Sequence, residues 1–275
     1  MRRIELGFCW PFSGLQPTEK LKRLRDYGFD GIELWPDQLD EGGAGAWAAA
    51  LKSTGMRVFQ LCPYFNFMGG EPTIARSREI LSKFLADAMI LDCSRLRVFT
   101  GPPWGNGVVG AHDATVQQWD DSIRSLCEFC DIAAQQNVEL CLECHEGSLM
   151  EDSPSTLRLL NEVNRPNLTT NLQLPLVKED WKFTVESLAR TTTHIHIHNW
   201  TMGLGEGDMT FLGEGSFDWE PVVRALDGNS RDSLTLSVEH ADHGQRHDPW
   251  ETALRDGPYL NQLRQVIESP KTGPD

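Results

Sequence analysis

The sequence predicts an α/β fold, a (β/α)8 TIM barrel in a single domain, and three observations lead there. Short β-rich runs alternate strictly with stretches of helical periodicity, which calls for parallel strands with helices outside them. Eight such pairs follow one another along the chain. The chain has 275 residues, 40% of them hydrophobic, close to the ~250 residues over which eight units close around one full core.

The strands are expected at 4–9 (IELGFC), 31–34 (GIEL), 56–62 (MRVFQLC), 95–99 (RLRVF), 138–143 (VELCLE), 168–174 (LTTNLQL), 193–199 (THIHIHN) and 234–239 (LTLSVE). Helices are expected near 18–27, 44–54, 72–91, 113–136, 154–164, 179–189, 217–227 and 249–268. Thr18, Ser153 before Pro154 and Asp248 before Pro249 supply side-chain oxygens suited to helix N-termini. A doubly wound open sheet would carry a Gly-rich turn after its first strand, and FCWPFSG is not one. The barrel is therefore placed over 1–268, with SPKTGPD (269–275) as a frayed tail.

Charge and apolar run length narrow the partners. The formal charge of −15 repels a phosphate backbone, so nucleic acid is not expected as a partner. No stretch approaches ~18 consecutive apolar residues, so no membrane partner is expected either. The N-terminus MRRIELGFCWPFSG starts basic, but Glu5 interrupts it and no apolar run follows, which favours a cytoplasmic location. Seven cysteines are then most simply free thiols in a reducing compartment. A homo-oligomer is compatible with the sequence.

Residues 141–147, CLECHEG, fit the C-x-x-C-H spacing of covalent haem attachment. On a strand, however, Cys141 and Glu143 share one face and Cys144 takes the other, so the two thiols cannot reach one haem edge. Cys127 and Cys130 form a second C-x-x-C within a helical pattern that turns both inward. Pooling four thiols from a helix and a strand into a zinc site is a poor geometric fit.

In a barrel of this kind the chemistry lies at the C-terminal ends of the strands. Those ends carry Trp10, Glu33, Trp35, Trp104, Glu143 with His145, Gln173, the run His194-Ile-His196-Ile-His198-Asn199-Trp200, and Glu239. Alternation puts His194, His196 and His198 on one face and Ile195 and Ile197 on the other. The isoleucines belong against the helices, so the histidines point into the barrel. Three inward imidazoles make a poor apolar core, and with Glu143 and Glu239 ending strands on other sides of the barrel they point to a metal or proton-transfer site.

The segments CLECHEGS, HIHIHNW, LGEGSFDWEPVVRAL and LTLSVEH, in this order, resemble the xylose isomerase-like TIM barrels of the sugar phosphate isomerase/epimerase superfamily. The resemblance covers the whole chain. It implies one divalent cation, Mn2+, Mg2+ or Co2+, held by Glu143, Gln173, His196 and Glu239. In the resembling enzymes the position of Gln173 is an acid, and an Arg follows the seventh-strand His, whereas NWTMGLGEGDMT has none. His198 shares the face of His196 and is the alternative ligand. His145, His198, Asn199, Trp10, Glu33 and Trp200 are the candidates for substrate contact, with His240, His243 and His247 in a loop that could close over the site.

The resemblance implies a metal-dependent isomerase or epimerase acting on a sugar or keto-sugar by proton transfer through an enediolate, with Glu143 and Glu239 as acid–base groups. Elimination from a 3-keto-glycoside by a lyase is the alternative within the same chemistry. A non-catalytic sugar-binding barrel without metal is the alternative outside it. A repair nuclease would need a three-metal cluster and a basic groove, which the ligand set and charge do not supply.

Overall fold

The computed structural model describes residues 3–9, 14–227, 233–239 and 247–269. Eight parallel strands close into a barrel: β1 (Arg3–Cys9), β2 (Gly31–Leu34), β3 (Arg57–Leu61), β4 (Arg95–Val98), β5 (Glu139–Glu143), β6 (Leu168–Gln173), β7 (Thr192–Ile197) and, last in the chain, β10 (Ser233–Glu239), which pairs with β1. Helices α1 (Pro17–Asp26), α2 (Pro36–Thr54), α3 (Glu71–Leu91), α4 (Val116–Ala134), α5 (Ser153–Val163), α6 (Trp181–Leu188), α7 (Glu220–Asp227) and α8 (Pro249–Glu268) connect and surround them. Two short strands, β8 (Asn199–Trp200) and β9 (Met209–Thr210), form an antiparallel hairpin above β7 that the sequence reading had merged into its seventh strand and the loop after it.

Strand alternation sorts the side chains into two populations. Leu6 and Phe8, Ile32 and Leu34, Leu96 and Val98, Leu140 and Leu142, Ile195 and Ile197, and Leu236 and Val238 are all fully buried in the hydrophobic core. Each buried side chain of this size contributes roughly 1.5–3 kcal/mol relative to exposure. The opposite parity lines the lumen with Gly7, Glu33, Arg97, Glu143, Asn171, His194, His196 and Ser237, an unusually polar filling. Low in the lumen, the Phe59 ring fills the space a side chain on Gly7 or Gly31 would need. At Gly31, where an added Cβ would collide with Arg57 O and stand 2.6 Å from the ring, only glycine fits.

Helix starts shift from expectation at every helix but α8, and three of the shifts have clear local reasons. α1 begins one residue early because Pro17 suits the first turn, with Gln16 rather than Thr18 preceding it. α2 begins at Pro36, eight residues before the expected 44. DEGGAGA hides its first turns, and Gly43 at φ +70° breaks the helix inside that run. Asp152 caps α5 by accepting from Ser155 N at 2.8 Å, leaving Ser153 inside the helix. Asp248 caps α8 as expected. The chain beyond Ser269 lies outside the described residues. No helix among the described residues is long and apolar enough to cross a membrane.

Candidate metal centre

The polar residues of the lumen converge at the C-terminal mouth around one imidazole. His196, on β7, is fully buried. Its Nδ1 stands 3.3 Å from Glu143 Oε1 and 3.8 Å from Glu239 Oε2. Its Nε2 faces the other way, 3.1 Å from Glu33 Oε1 on β2. Glu143 and Glu239 are strand-terminal residues of β5 and β10, so adjacent barrel geometry delivers two carboxylates to one ring nitrogen.

Gln173 ends β6 beside them. Its Nε2 donates to Glu239 Oε2 at 2.8 Å and lies 3.0 Å from His198 Nε2. Its Oε1 is buried without a hydrogen-bond partner. His198 Nε2 is 3.0 Å from the same Glu239 oxygen. Among the described residues, Glu143, His196 and Glu239 form one group able to hold a metal ion, and Cys9, Glu33 and His196 form another.

The donor set fits a divalent cation. With bonds of about 2.1 Å and octahedral geometry, neighbouring donors stand about 3.0 Å apart and opposite donors about 4.2 Å. The 3.3 and 3.8 Å separations at His196 Nδ1 fall within that range. The buried Gln173 amide oxygen is a fourth donor of the right hardness. The oxygen-rich set with one imidazole suits Mg2+, Mn2+ or Co2+.

Electrostatics keep the site charged. Burial opposes ionisation of Glu143, but the Arg97 guanidinium, then His196, hold its carboxyl below the usual range. Burial likewise opposes the charged His196 ring, yet Cys9, Glu33 and Glu143 around it hold its pKa well above the ordinary value. A cation at Nδ1 would displace a proton that the carboxylates otherwise retain there.

The family model described as xylose isomerase-like TIM barrel matches residues 21–262. The chain belongs to this family. A curated relative, a 3-dehydroshikimate dehydratase of Bacillus anthracis, is 26% identical over 194 residues. That match spans 66% of the chain and 66% of the relative, just under two thirds of its length. An L-ribulose 3-epimerase structure superposes at a TM-score of 0.75 with 20% identity, covering 100% of both chains. A D-allulose 3-epimerase from Methylomonas sp., solved in complex with D-allulose, gives 0.74 at 18% identity over 96% of this chain and 98% of that one.

Within this xylose isomerase-like barrel the expected site residues separate. Glu143, Gln173, His196, His198 and Glu239 come together as described. His145 lies at the rim in a 480 Å3 cavity with Trp104 and Glu146, its ring edge-on to Phe99 at 5.9 Å. Glu33 is fully buried beneath His196. Asn199 is bonded within the chain. Its side chain is consumed by the loop after β9, donating to Leu212 O (2.9 Å) and Phe217 O (3.0 Å) and accepting from Trp200 N and Phe217 N. Trp200 is buried in the core with its ring 5.7 Å from His198, rather than open at the rim. Trp10, His240 and His243 lie outside the described residues. His247 packs on Phe211 at 4.4 Å.

All seven cysteines are free. Cys141 lies 3.8 Å from Thr193 Oγ1 in the lumen, whereas Cys144 faces Thr156 of α5. The C-x-x-C-H match is thus split across the strand.

One residue escaped the sequence reading. Arg97, on β4, is 2% exposed and lies 3.3 Å from Glu143 Oε2. Its guanidinium is enclosed by Trp35, Tyr64 and Phe99, with ring centroids at 5.2, 4.8 and 5.0 Å. The signal was present in RLRVF, where Arg95 and Arg97 share one face of an apolar strand.

Proposed function

We propose that this protein is a divalent-metal-dependent enzyme that removes a proton beside the carbonyl of a polyhydroxylated substrate, epimerising or isomerising a sugar or keto-sugar. The observation that carries the reading is the placement of His196 Nδ1 between the carboxylates of Glu143 and Glu239, with the unpartnered Gln173 oxygen beside them. Glu143, Gln173, His196 and Glu239 would hold the cation. When bound, it supplies polarisation of the carbonyl and an adjacent hydroxyl.

The chain's own groups do the rest. Glu239 is the more open carboxylate, 12% exposed against 3% for Glu143, and takes the proton. Glu143, held ionised by Arg97, would return a proton from the other side of the lumen only after taking one up from water. Trp35, Tyr64 and Trp104 form an aromatic wall at the mouth that suits a sugar face, with Tyr64 and Trp104 centroids 5.4 Å apart.

Elimination is the second reading, and the dehydratase relative favours it. Loss of a hydroxyl one carbon beyond the abstracted proton needs only an added acid, and His145 at the rim or His198 beside Glu239 is placed to serve. The test is incubation of Mn2+-loaded protein in D2O with D-allulose, L-ribulose and 3-dehydroshikimate, followed by NMR. Deuterium at the carbon beside the carbonyl without loss of water supports epimerisation. Dehydrated, aromatised product supports elimination. Neither change with any of the three, in protein shown to hold Mn2+, would sink both readings in favour of a binding barrel.

A further inference from the structure

The two candidate ligand groups share His196 but use opposite ring nitrogens, and the hydrogen bonds around Glu33 decide between them. Arg95 Nη1 lies 3.4 Å from His194 Nδ1. A guanidinium only donates, so that Nδ1 is an acceptor and His194 carries its proton on Nε2. His194 Nε2 therefore donates to Glu33 Oε1, at 2.8 Å. Glu33 Oε2 accepts from Gln60 Nε2 at 2.9 Å and from the Cys62 thiol at 3.3 Å. His196 Nε2 supplies a fourth donor, 3.1 Å from Oε1. A carboxylate has about four lone-pair sites, and all four are taken.

We infer that Glu33 is a positioning residue for the cation site, fixing the His196 proton on Nε2 so that Nδ1 alone is offered to the metal. The group of Cys9, Glu33 and His196 is then a hydrogen-bond node rather than a second ion site. Asn171 fits the same assignment. Its amide lies 3.0 Å from His196 Nε2 and its Oδ1 is otherwise unpartnered, so the oxygen is the end that suits a donating Nε2. The chain Arg95–His194–Glu33–His196 runs up the lumen and ties the orientation of the ligand ring to three strands. All members except Arg95 are fully buried, which shields the arrangement from competing water.

This inference rests on the cation site proposed above, and two readouts separate the failure of one from the failure of the other. The first is Mn2+ titration of metal-stripped wild type, Glu33→Gln and Cys9→Ser, following free Mn2+ by EPR. Glu33→Gln is expected to bind 10–100-fold more weakly at an unchanged one ion per chain. Cys9→Ser is expected to bind within about twofold of wild type, since the node carries no ion. Unchanged affinity in Glu33→Gln, or loss of the ion in Cys9→Ser, overturns the inference. The second readout needs no metal: long-range 1H–15N spectra of the imidazoles in metal-free wild type, with a His196→Gln spectrum used only to assign the His196 signal. A protonated, slowly exchanging Nε2 on His196 is expected, and a bare Nε2 overturns the inference. Wild type that takes up no Mn2+ defeats the cation reading, and the spectrum alone then decides the role of Glu33.

Discussion

Gln173 donates its amide N–H to Glu239 Oε2 across 2.8 Å, so one candidate ligand of the cation is already bonded to another. The amide supplies an oxygen to a cation but no charge, and its N–H is held by a carboxylate that would also ligate the ion. Gln173→Asp should therefore raise Mn2+ affinity by about tenfold or more, on the order of 1.4 kcal/mol. Isothermal titration of both proteins checks this, and equal affinities would show that the amide costs the site nothing.

Arg97 offers a prediction on stability. It is the buried counter-ion of Glu143, enclosed by three rings. Arg97→Ala strands a buried carboxylate and empties the aromatic box, a change expected to cost about 3–5 kcal/mol. Urea unfolding should show the loss, and saturating Mn2+ should restore part of it by giving Glu143 another cation. A loss under 1 kcal/mol would mean that water already reaches the pair.

Asp256, on α8, predicts a pH dependence remote from the site. It is 1% exposed and accepts from Leu212 N at 2.8 Å. Burial pushes its carboxyl up to about 7 from the ordinary 3.8. The folded protein therefore binds a proton more tightly than the unfolded chain, and stability from this group falls as pH rises from about 4 to about 7. Asp256→Asn keeps the acceptor oxygen and removes the titration. The stability difference between variant and wild type should be near zero at pH 4 and grow to at most roughly 4 kcal/mol in favour of the variant by pH 7–8. A difference that does not change with pH in urea unfolding would refute this.

Asn199 separates structure from substrate contact. Three of its four hydrogen bonds anchor residues 212–217 to the end of the barrel, and the fourth is to Trp200 N. Asn199→Ala leaves buried backbone groups unpaired and should destabilise by about 2–4 kcal/mol. Mn2+ affinity per folded molecule should stay within about twofold, because the side chain faces away from the ligand set. A stable variant that instead loses ligand binding would return Asn199 to the substrate site.

Much of this was legible in the sequence because barrel strands obey a period of two. THIHIHN alone sorted three imidazoles from two isoleucines, and the structure places His194 and His196 in the lumen and Ile195 and Ile197 in the core. The strand-terminal positions of Glu143, Gln173 and Glu239 followed from the same rule. What periodicity cannot supply is depth along the lumen. Glu33 and His196 sit on inward faces like Glu239, but one lies beneath the site and another at its mouth, a difference set by barrel stagger. The bonding of Asn199 and the burial of Trp200 were not legible because the hairpin β8–β9 depends on contacts with residues 208–217, far from any local signal. Arg97 was passed over because a charge within a strand normally marks a solvent-facing edge.

The polar lumen also acts on the folding of the barrel. A slip of β7 by one residue against β6 or β10 would exchange the faces of the strand. Ile195 and Ile197 would then meet Glu33 and Glu143, and the imidazoles would be pressed against apolar helices with their protons unmatched. An aliphatic lumen would tolerate such a slip far better, since one branched side chain replaces another at little cost. The ring nitrogens and carboxylates that make the site reactive therefore also serve as a key that only one alignment of the strands can turn.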